Sequence, residues 1–262
     1  MKTMNISFSR YLLPLATASI YLFLYVPIII LVLFSFNSSS IPFEWEGFSL
    51  RWYKELLVST ELLAALKNSL IVAFSSVFLS VTLGLLCVFY SAQSRLSNFF
   101  VLFYLSLTVP EIVLAVGLLS LFSWCAVPLG LTTLIAGHTL IGLGYAIPIL
   151  HSRFAELDPR LIEASMDLGA TQSQTFWRII VPLLAPALFA AALLVFVVSI
   201  DDFIVSFFCS GASEQTLPIY IFVLIRSGAT PVVNALSTVL LVVSSFLVLI
   251  FSLLNAKKMD IL

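Results

Sequence analysis

Charged residues are scarce in this chain. Lysine and arginine number 12 and aspartate and glutamate 13, so charged residues make up 10% of the 262 residues, against about a quarter in soluble domains. Hydrophobic residues make up 61%, and the mean hydropathy is +1.15. A chain with so little charge cannot cover a globular surface with polar groups, which excludes an ordinary soluble domain and predicts an integral membrane protein. With a net charge of −1, we expect no nucleic-acid partner.

Two kinds of site are also missing from the sequence. The three cysteines are odd in number and lack the spacing of metal ligands, so we predict no metal site. The phosphate-loop pattern G-x-x-x-x-G-K-[ST] does not occur, so the chain is not expected to bind ATP by that route. We therefore predict no catalytic residues and no cofactor in this chain.

Long apolar runs are what the sequence does contain. They are continuous rather than alternating, which favours helices over a membrane β-barrel and predicts an all-α, polytopic membrane fold. About 20 residues cross a bilayer, and the first run is too long for a cleaved signal peptide, so we expect it to be retained. A single permease-type domain over 1–262 is predicted, with six spans at about 11–34, 66–90, 99–123, 129–151, 183–208 and 233–255.

The distribution of lysine and arginine predicts the orientation of these spans. With the N-terminus in the cytoplasm, eight basic residues lie inside and four outside, which agrees with the positive-inside rule. Both termini are therefore expected to be cytoplasmic. The inside set is Lys2, Arg10, Arg95, Arg153, Arg160, Arg178, Lys257 and Lys258, and the outside set is Arg51, Lys54, Lys67 and Arg226.

The longest polar interruption among the apolar runs, residues 152–181, carries signals for two short helices. We call it the helical loop. Asp158 before Pro159 combines a capping carboxylate with a proline at the first helical position. Gly169 can adopt the left-handed conformation that ends a helix. The pattern predicts a helix between these points.

A second short helix is expected after the glycine. Thr171 and Gln174 have the spacing of a capping box. An apolar stripe follows on one face before a proline, and it consists of Phe176, Ile179, Ile180 and Pro182.

The spacing within the helical loop resembles a known family. Glu163-Ala164-Ser165, three residues, Gly169, nine residues and then Ile179-Ile180-Val181-Pro182 is similar to the EAA loop of permease subunits in binding-protein-dependent ABC importers. Ser165 and Val181 depart mildly from the family pattern. In that family the loop docks into a cytoplasmic ATPase dimer, where ATP and magnesium bind, and transmits its closure to the membrane helices.

The resemblance implies that the helical loop is a coupling loop. It implies an ATPase-coupling role for Glu163, Ala164, Gly169, Phe176, Ile179 and Pro182. We further expect Leu161, Phe176 and Ile180 to form an exposed apolar knob that enters a socket of the ATPase.

A closer resemblance, to the permeases of spermidine/putrescine importers, extends from Tyr21 to Leu254. It is carried by Trp45-Glu46-Gly47-Phe48-Ser49, Val109-Pro110-Glu111-Ile112-Val113, Ser199-Ile200-Asp201-Asp202-Phe203 and Val233-Asn234-Ala235-Leu236. It implies a polyamine substrate, a homologous second permease, an extracytoplasmic substrate-binding protein and a location in the cytoplasmic (inner) membrane. Permeases for ferric iron or phosphonate share part of the pattern and remain alternatives.

Three acids in the apolar runs are independent candidates for the substrate path. Glu111, Asp201 and Asp202 each cost about 2.5 to 3.5 kcal/mol at mid-membrane, and such residues are usually functional. Counted at 1.5 Å per residue from the cytoplasmic ends of the third and fifth spans, Glu111 and Asp201 reach similar depths, so we expect them to face one cavity. The alternative is that these acids are protonated or capped by hydroxyls such as that of Ser199.

Other classes of function remain open from sequence alone. A secondary transporter usually has inverted repeats and broken helices at the membrane midplane, and neither is evident in the sequence. A membrane scaffold would need neither the acids nor the loop spacing. His138, in the fourth span, is expected to hydrogen-bond between helices, with a proton relay as the alternative.

Overall fold

The computed structural model describes residues 6–41, 44–91, 103, 107–158, 160–211, 214–228 and 230–259. Within these segments the chain is almost entirely helical. In chain order the helices are α1 (Ile6–Phe34), α2 (Arg51–Val58), α3 (Thr60–Ser91), α4 (Glu111–Trp124), α5 (Leu131–Ala155), α6 (Arg160–Asp167), α7 (Gln172–Asp201), α8 (Ile204–Cys209), α9 (Leu217–Arg226) and α10 (Thr230–Met259). The all-α membrane fold is confirmed.

Four of the described helices are long and apolar enough to cross a membrane. They are Pro14–Phe34 of α1, and all of α3, α5 and α7. Shorter apolar helices occur at Glu111–Trp124, Leu217–Arg226 and Pro231–Phe246. The first half of the predicted third span lies largely outside the described residues.

The predicted fifth span, 183–208, is not one continuous helix. α7 ends at Asp201, Asp202 is extended (φ −68°, ψ 118°), and α8 begins at Ile204. The break has a local cause, because the Asp202 carboxylate accepts hydrogen bonds from the backbone N–H groups of Val205 (3.3 Å) and Ser206 (2.8 Å). These bonds satisfy N–H groups at the start of α8 that have no partner within the helix. The expectation of unbroken helices is wrong here.

Residues 61–220 form one of two compact units. In it α5 and α7 pack along each other, and a core of buried apolar side chains joins them to α3. Its members include Leu85, Phe89, Ile147, Leu150, Phe176, Ile180, Leu184, Ala191 and Val195. Close approach of α3 and α5 depends on Gly142, because a Cβ atom there would overlap the side chain of Ser80. Ser80 Oγ donates instead to the Thr139 carbonyl across this contact (3.0 Å).

Residues 1–60 and 221–262 form the other compact unit, in which α10 contacts α1 and α2. Buried Asn37 organises the chain between α1 and α2. Its side chain accepts the N–H of Glu46 (3.1 Å) and donates to the carbonyl of Glu44 (2.6 Å). Its own carbonyl accepts the indole N–H of buried Trp52 (2.7 Å). One asparagine thus fixes this connection to α2.

Candidate functional site

An open cleft of about 510 Å³ lies within the 61–220 unit, where α4 begins and α7 ends. It brings together all three acids singled out in the sequence. Its walls are formed by Leu107, Val109, Glu111, Leu114, Ile141, Tyr145, Val197, Val198, Asp201, Asp202, Phe203 and Ile204. Among these described lining residues there is no lysine or arginine, so acids are the charged groups of the wall.

Glu111 is the first residue of α4. Pro110 precedes it in an extended conformation and its carbonyl accepts the N–H of Val113 (2.9 Å), so the helix begins here. The predicted depth of Glu111 assumed a helix running unbroken from residue 99, and residues 107–110 are instead a turn. Glu111 therefore reaches the cleft from a helix start, and its side chain is exposed there.

Asp201 and Asp202 occupy the break between α7 and α8 and differ in exposure. Asp201, the last residue of α7, is exposed to the cleft, whereas Asp202 is buried and caps α8. Adjacent residues of a continuous helix point about 100° apart, so an unbroken helix would turn only one of the two toward the cleft. Because the helix ends between them, both reach the cleft wall.

Glu111 and Asp202 line the same cleft, and their carboxyl groups are close enough to interact. Two carboxylates at this separation repel unless a proton or a cation lies between them. A positively charged group that enters the cleft would remove this repulsion. The arrangement therefore favours cations and disfavours anions.

Two aromatic side chains beside the acids were not predicted. Tyr145 of α5 and Phe203, in the break, are half-buried in the cleft wall. Ring faces of this kind attract ammonium groups by about 0.5 to 2 kcal/mol. The sequence held a signal for Tyr145, because His138, Ile141 and Tyr145 have the spacing of one helix face.

A buried polar network lies behind the cleft wall. His138 Nδ1 is 2.8 Å from Ser199 Oγ, and its Nε2 is 3.1 Å from Ser206 Oγ and 3.3 Å from Asp202 Oδ2. Ser76 Oγ donates to Ser199 Oγ (3.2 Å). His138 thus hydrogen-bonds between helices, as expected, whereas Ser199 bonds to His138 rather than capping an acid.

The structure has the first short helix and the turn that the sequence predicts, but the second helix does not end at Pro182 and continues as the 30-residue α7. The N–H of Arg160 bonds to the Asp158 side chain (3.0 Å), and α6 follows, while Pro159 lies outside the described residues. Gly169 has φ +86°. The turn satisfies the last carbonyls of α6, because Gly169 N–H donates to Met166 O (2.9 Å) and Ala170 N–H donates to Ser165 O (3.1 Å).

The capping box at the start of α7 is also present. Gln174 N–H donates to Thr171 Oγ1 (3.3 Å), and Thr171 N–H donates to the Gln174 side chain (2.8 Å). Ser165 Oγ and Thr175 Oγ1 lie 2.5 Å apart between the two short helices, and both side chains are buried. This bond joins α6 to α7.

The expectation of an exposed apolar knob is wrong for two of its three members. Phe176 and Ile180 are buried in the core of the 61–220 unit, and only Leu161 is exposed. The stripe turned inward because α7 continues from the loop into the membrane-spanning region, past a π-helical turn at Phe176–Ile180. The exposed large apolar side chains of the helical loop are Leu161, Met166, Leu168 and Trp177, and we call them the loop patch.

The other residues expected to couple to an ATPase differ in exposure. Glu163, Ala164, Gly169 and Pro182 are exposed and Ile179 is half-buried. α7 connects this region to the cleft directly, since its 30 residues run from Gln172 to Asp201, a length of about 45 Å.

The sequence pattern of a family described as "binding-protein-dependent transport system inner membrane component" matches residues 80–259. The chain is 38% identical over 228 residues to the spermidine/putrescine transport system permease protein PotC of Haemophilus influenzae, covering 86% of this chain and 88% of that protein. It is 35% identical over 218 residues to the putrescine transport system permease protein PotI of Escherichia coli K12, covering 79% of this chain and 77% of PotI.

Solved structures of similar fold include a bacterial ABC transporter involved in the import of the acidic polysaccharide alginate. One of its chains superposes with a TM-score of 0.72 and 14% identity, covering 95% of this chain and 98% of that chain. A chain from the alginate transporter in complex with an alginate-pentasaccharide-bound periplasmic protein gives a TM-score of 0.67 at 16% identity, covering 93% of this chain and 92% of that chain. These likenesses concern the fold alone.

Proposed function

Because the chain belongs to the family of binding-protein-dependent transport system inner membrane components, we propose that it is the permease subunit of an ATP-driven importer of polyamines. Spermidine and putrescine are the proposed substrates, and transport is into the cytoplasm across the inner membrane. PotC and PotI, which carry these substrates in their names, support the proposal. The chemistry of the cleft supports it independently.

The observation that carries the proposal is the acidic cleft. Glu111, Asp201 and Asp202 line one cavity whose other described lining residues are neutral. A polyamine carries several ammonium groups on an apolar methylene chain, so it matches separated carboxylates set among aliphatic and aromatic side chains. Phosphonate is an anion, and the same acids would repel it.

The helix break adds to this preference for cations. A helix C-terminus carries a partial negative charge and presents carbonyl groups without helical partners. α7 ends at Asp201 in the wall of the cleft. Broken helices whose ends face a bound ion also occur in secondary transporters, but the family to which this chain belongs is served by binding proteins.

Partners follow from the proposed function. A cytoplasmic ATPase dimer would bind ATP and magnesium and contact the helical loop through the loop patch, because exposed apolar side chains at a soluble surface usually mark an interface. A homologous second permease would complete the membrane path. An extracytoplasmic binding protein would deliver the substrate, as the periplasmic protein in the alginate complex suggests by analogy. The excess of basic residues on one side supports cytoplasmic termini.

Uptake by the assembled importer tests the proposal. The complex is reconstituted with its partner subunits in proteoliposomes, and uptake of labelled spermidine and putrescine is measured with ATP inside, with an ion gradient alone, and with ferric iron or phosphonate as competitors. We expect ATP-dependent polyamine uptake that neither competitor reduces. Uptake driven by the gradient, or ATP-dependent uptake of iron or phosphonate instead of polyamines, would contradict the proposal.

Charge-neutralising variants test the role of the cleft. Glu111→Gln and Asp201→Asn keep the side-chain shape, and both residues are exposed, so assembly should not change. Loss of one hydrogen bond to a charged group, about 1.5 to 3 kcal/mol, predicts roughly a tenfold to hundredfold weaker apparent affinity. Glu156→Gln is the control, because it loses only an exposed ion pair with Arg153. Unchanged uptake in both cleft variants would remove these acids from the path.

A further inference from the structure

His138 is a buried ionisable residue that the proposed function has not used. It lies on α5 behind the cleft wall, and its side chain is 1% exposed. Through its two ring nitrogens it contacts Ser199 of α7, Ser206 of α8 and Asp202 at the break between them. A single imidazole therefore joins both sides of the helix break to α5.

The neighbours of His138 favour one tautomer of its ring. Nε2 lies 3.3 Å from Asp202 Oδ2, and a carboxylate only accepts hydrogen bonds, so an ionised Asp202 favours the tautomer that carries the proton on Nε2. In that tautomer Nδ1 accepts from the hydroxyl of Ser199 at 2.8 Å. Ser199 in turn accepts from Ser76 at 3.2 Å. The chain of donors therefore ends at the Asp202 carboxylate.

Asp202 needs such support because of its neighbour in the cleft. Asp202 and Glu111 lie in the wall of the same cleft, and two ionised carboxyl groups in one wall repel each other. The backbone N–H of Ser206 donates to Oδ2 (2.8 Å), and Nε2 of His138 lies 3.3 Å from the same oxygen. A hydrogen bond to an ionised acceptor is about twice as strong as one between neutral groups.

We propose that His138 is a positioning residue, whose Nε2–H holds the Asp202 carboxylate in the cleft wall and thereby sets the affinity of the permease for its cationic substrate. The inference rests on the proposed function, in which Asp202 contacts that substrate. It predicts a change in apparent KM, whereas a histidine that only packs helices together would change assembly or maximal rate.

Two amide variants separate the two nitrogens. In His138→Gln the side-chain amide reaches the place of Nε2 and can still donate to Asp202, whereas in His138→Asn it reaches only the place of Nδ1. We expect His138→Asn to raise the apparent KM for spermidine about threefold to tenfold, the effect of one hydrogen bond. His138→Gln should stay within about twofold of the unmodified protein on the same grounds. Maximal rates per assembled complex should be similar in both.

The control is Thr139→Val in the next residue of α5. Thr139 is also buried, but its hydroxyl donates to the carbonyl of Ile135 in its own helix (2.6 Å) and does not contact Asp202. It should assemble and keep the KM of the unmodified protein. If Thr139→Val raised the KM as much as His138→Asn does, any change in this part of α5 would raise the KM. That result would overturn the inference.

Asp202→Asn, measured in parallel, separates failure of the inference from failure of the proposed function. An unchanged KM in Asp202→Asn would contradict the role of Asp202 in substrate binding. A raised KM in Asp202→Asn with an unchanged KM in His138→Asn would overturn the inference alone. If His138→Asn does not assemble, Ser199→Ala decides, because it removes the hydroxyl that orients the ring. An unchanged KM in Ser199→Ala would then overturn the inference.

Discussion

The ring of Phe176 lies 4.9 Å from the ring of Phe89, measured between centroids, and this contact ties the second helix of the helical loop to α3. Both side chains are buried, and the core around them includes residues of α5. A force applied to the loop would therefore act on α3, α5 and α7 together. The adjacent residue, Trp177, is 64% exposed. Of these two consecutive aromatic residues, Phe176 thus faces the core and Trp177 faces the surface.

Alanine variants of these neighbours should have different effects. Phe176→Ala opens a cavity in the core and should cost about 3 to 5 kcal/mol of stability, which a thermal unfolding assay of the purified complex would detect. Trp177→Ala should leave the unfolding temperature nearly unchanged and reduce the ATPase that copurifies with the permease. Equal loss of stability in both variants, or full ATPase retention in Trp177→Ala, would contradict this division.

Gly169 tests the left-handed turn of the helical loop. A Cβ atom there would meet nothing within 4 Å, so any penalty for Gly169→Val comes from its φ of +86°. The expected cost is about 1 to 2 kcal/mol, with reduced ATPase retention and uptake. Gly169→Asn should lose less, because asparagine tolerates this conformation.

Gly117 offers a matched control. A Cβ atom at this position would also meet nothing within 4 Å, but Gly117 lies within the regular helix α4. Gly117→Val should retain ATPase and uptake. If Gly169→Val were as active as Gly117→Val, the turn would not be needed for coupling.

Ser165 and Thr175 form one hydrogen bond, but removing either partner should reduce the stability by a different amount. Thr175 Oγ1 also donates to the carbonyl of Thr171 (3.2 Å), so Ser165→Ala leaves it with a partner. That variant should cost only about 0.5 to 1.5 kcal/mol. Thr175→Val leaves the buried Ser165 hydroxyl without Thr175 and should cost about 1 to 3 kcal/mol. Chemical unfolding of the two variants would rank them, and the reverse order would refute the assignment.

Much of the fold was predictable because its causes are local. Continuous apolar runs require helices in a bilayer, and the caps at Asp158, Gly169 and Thr171 act within a few residues of themselves. The break after Asp201 was not predicted, since hydropathy does not change there. The break depends on hydrogen bonds between the Asp202 side chain and the backbone of the next helix. A count of apolar residues cannot predict such bonds.

The candidate site was predicted in part for a similar reason. Acids are conspicuous in an apolar run, so Glu111, Asp201 and Asp202 were evident. The inward turn of Phe176 was not, because an apolar stripe has the same spacing whether it faces a partner or the chain's own core. The contacts of His138 depend on three helices meeting, which spacing within one segment does not reveal.

The number of charges on the substrate provides the last prediction. Spermidine carries three ammonium groups and putrescine two, and three carboxyl groups line the cleft. If the longer cation engages more of these acids, removing one acid should weaken spermidine uptake more than putrescine uptake. For Glu111→Gln we expect the apparent KM for spermidine to rise at least about threefold more than that for putrescine, a difference of about 0.7 kcal/mol.

Uptake of both labelled substrates by the same proteoliposomes would measure the ratio. Binding to the soluble receptor, assayed separately, should be unaffected, because the variant lies in the permease. Equal rises in KM would mean that both substrates contact the same acids, and matching of substrate charge to the number of acids would then be refuted.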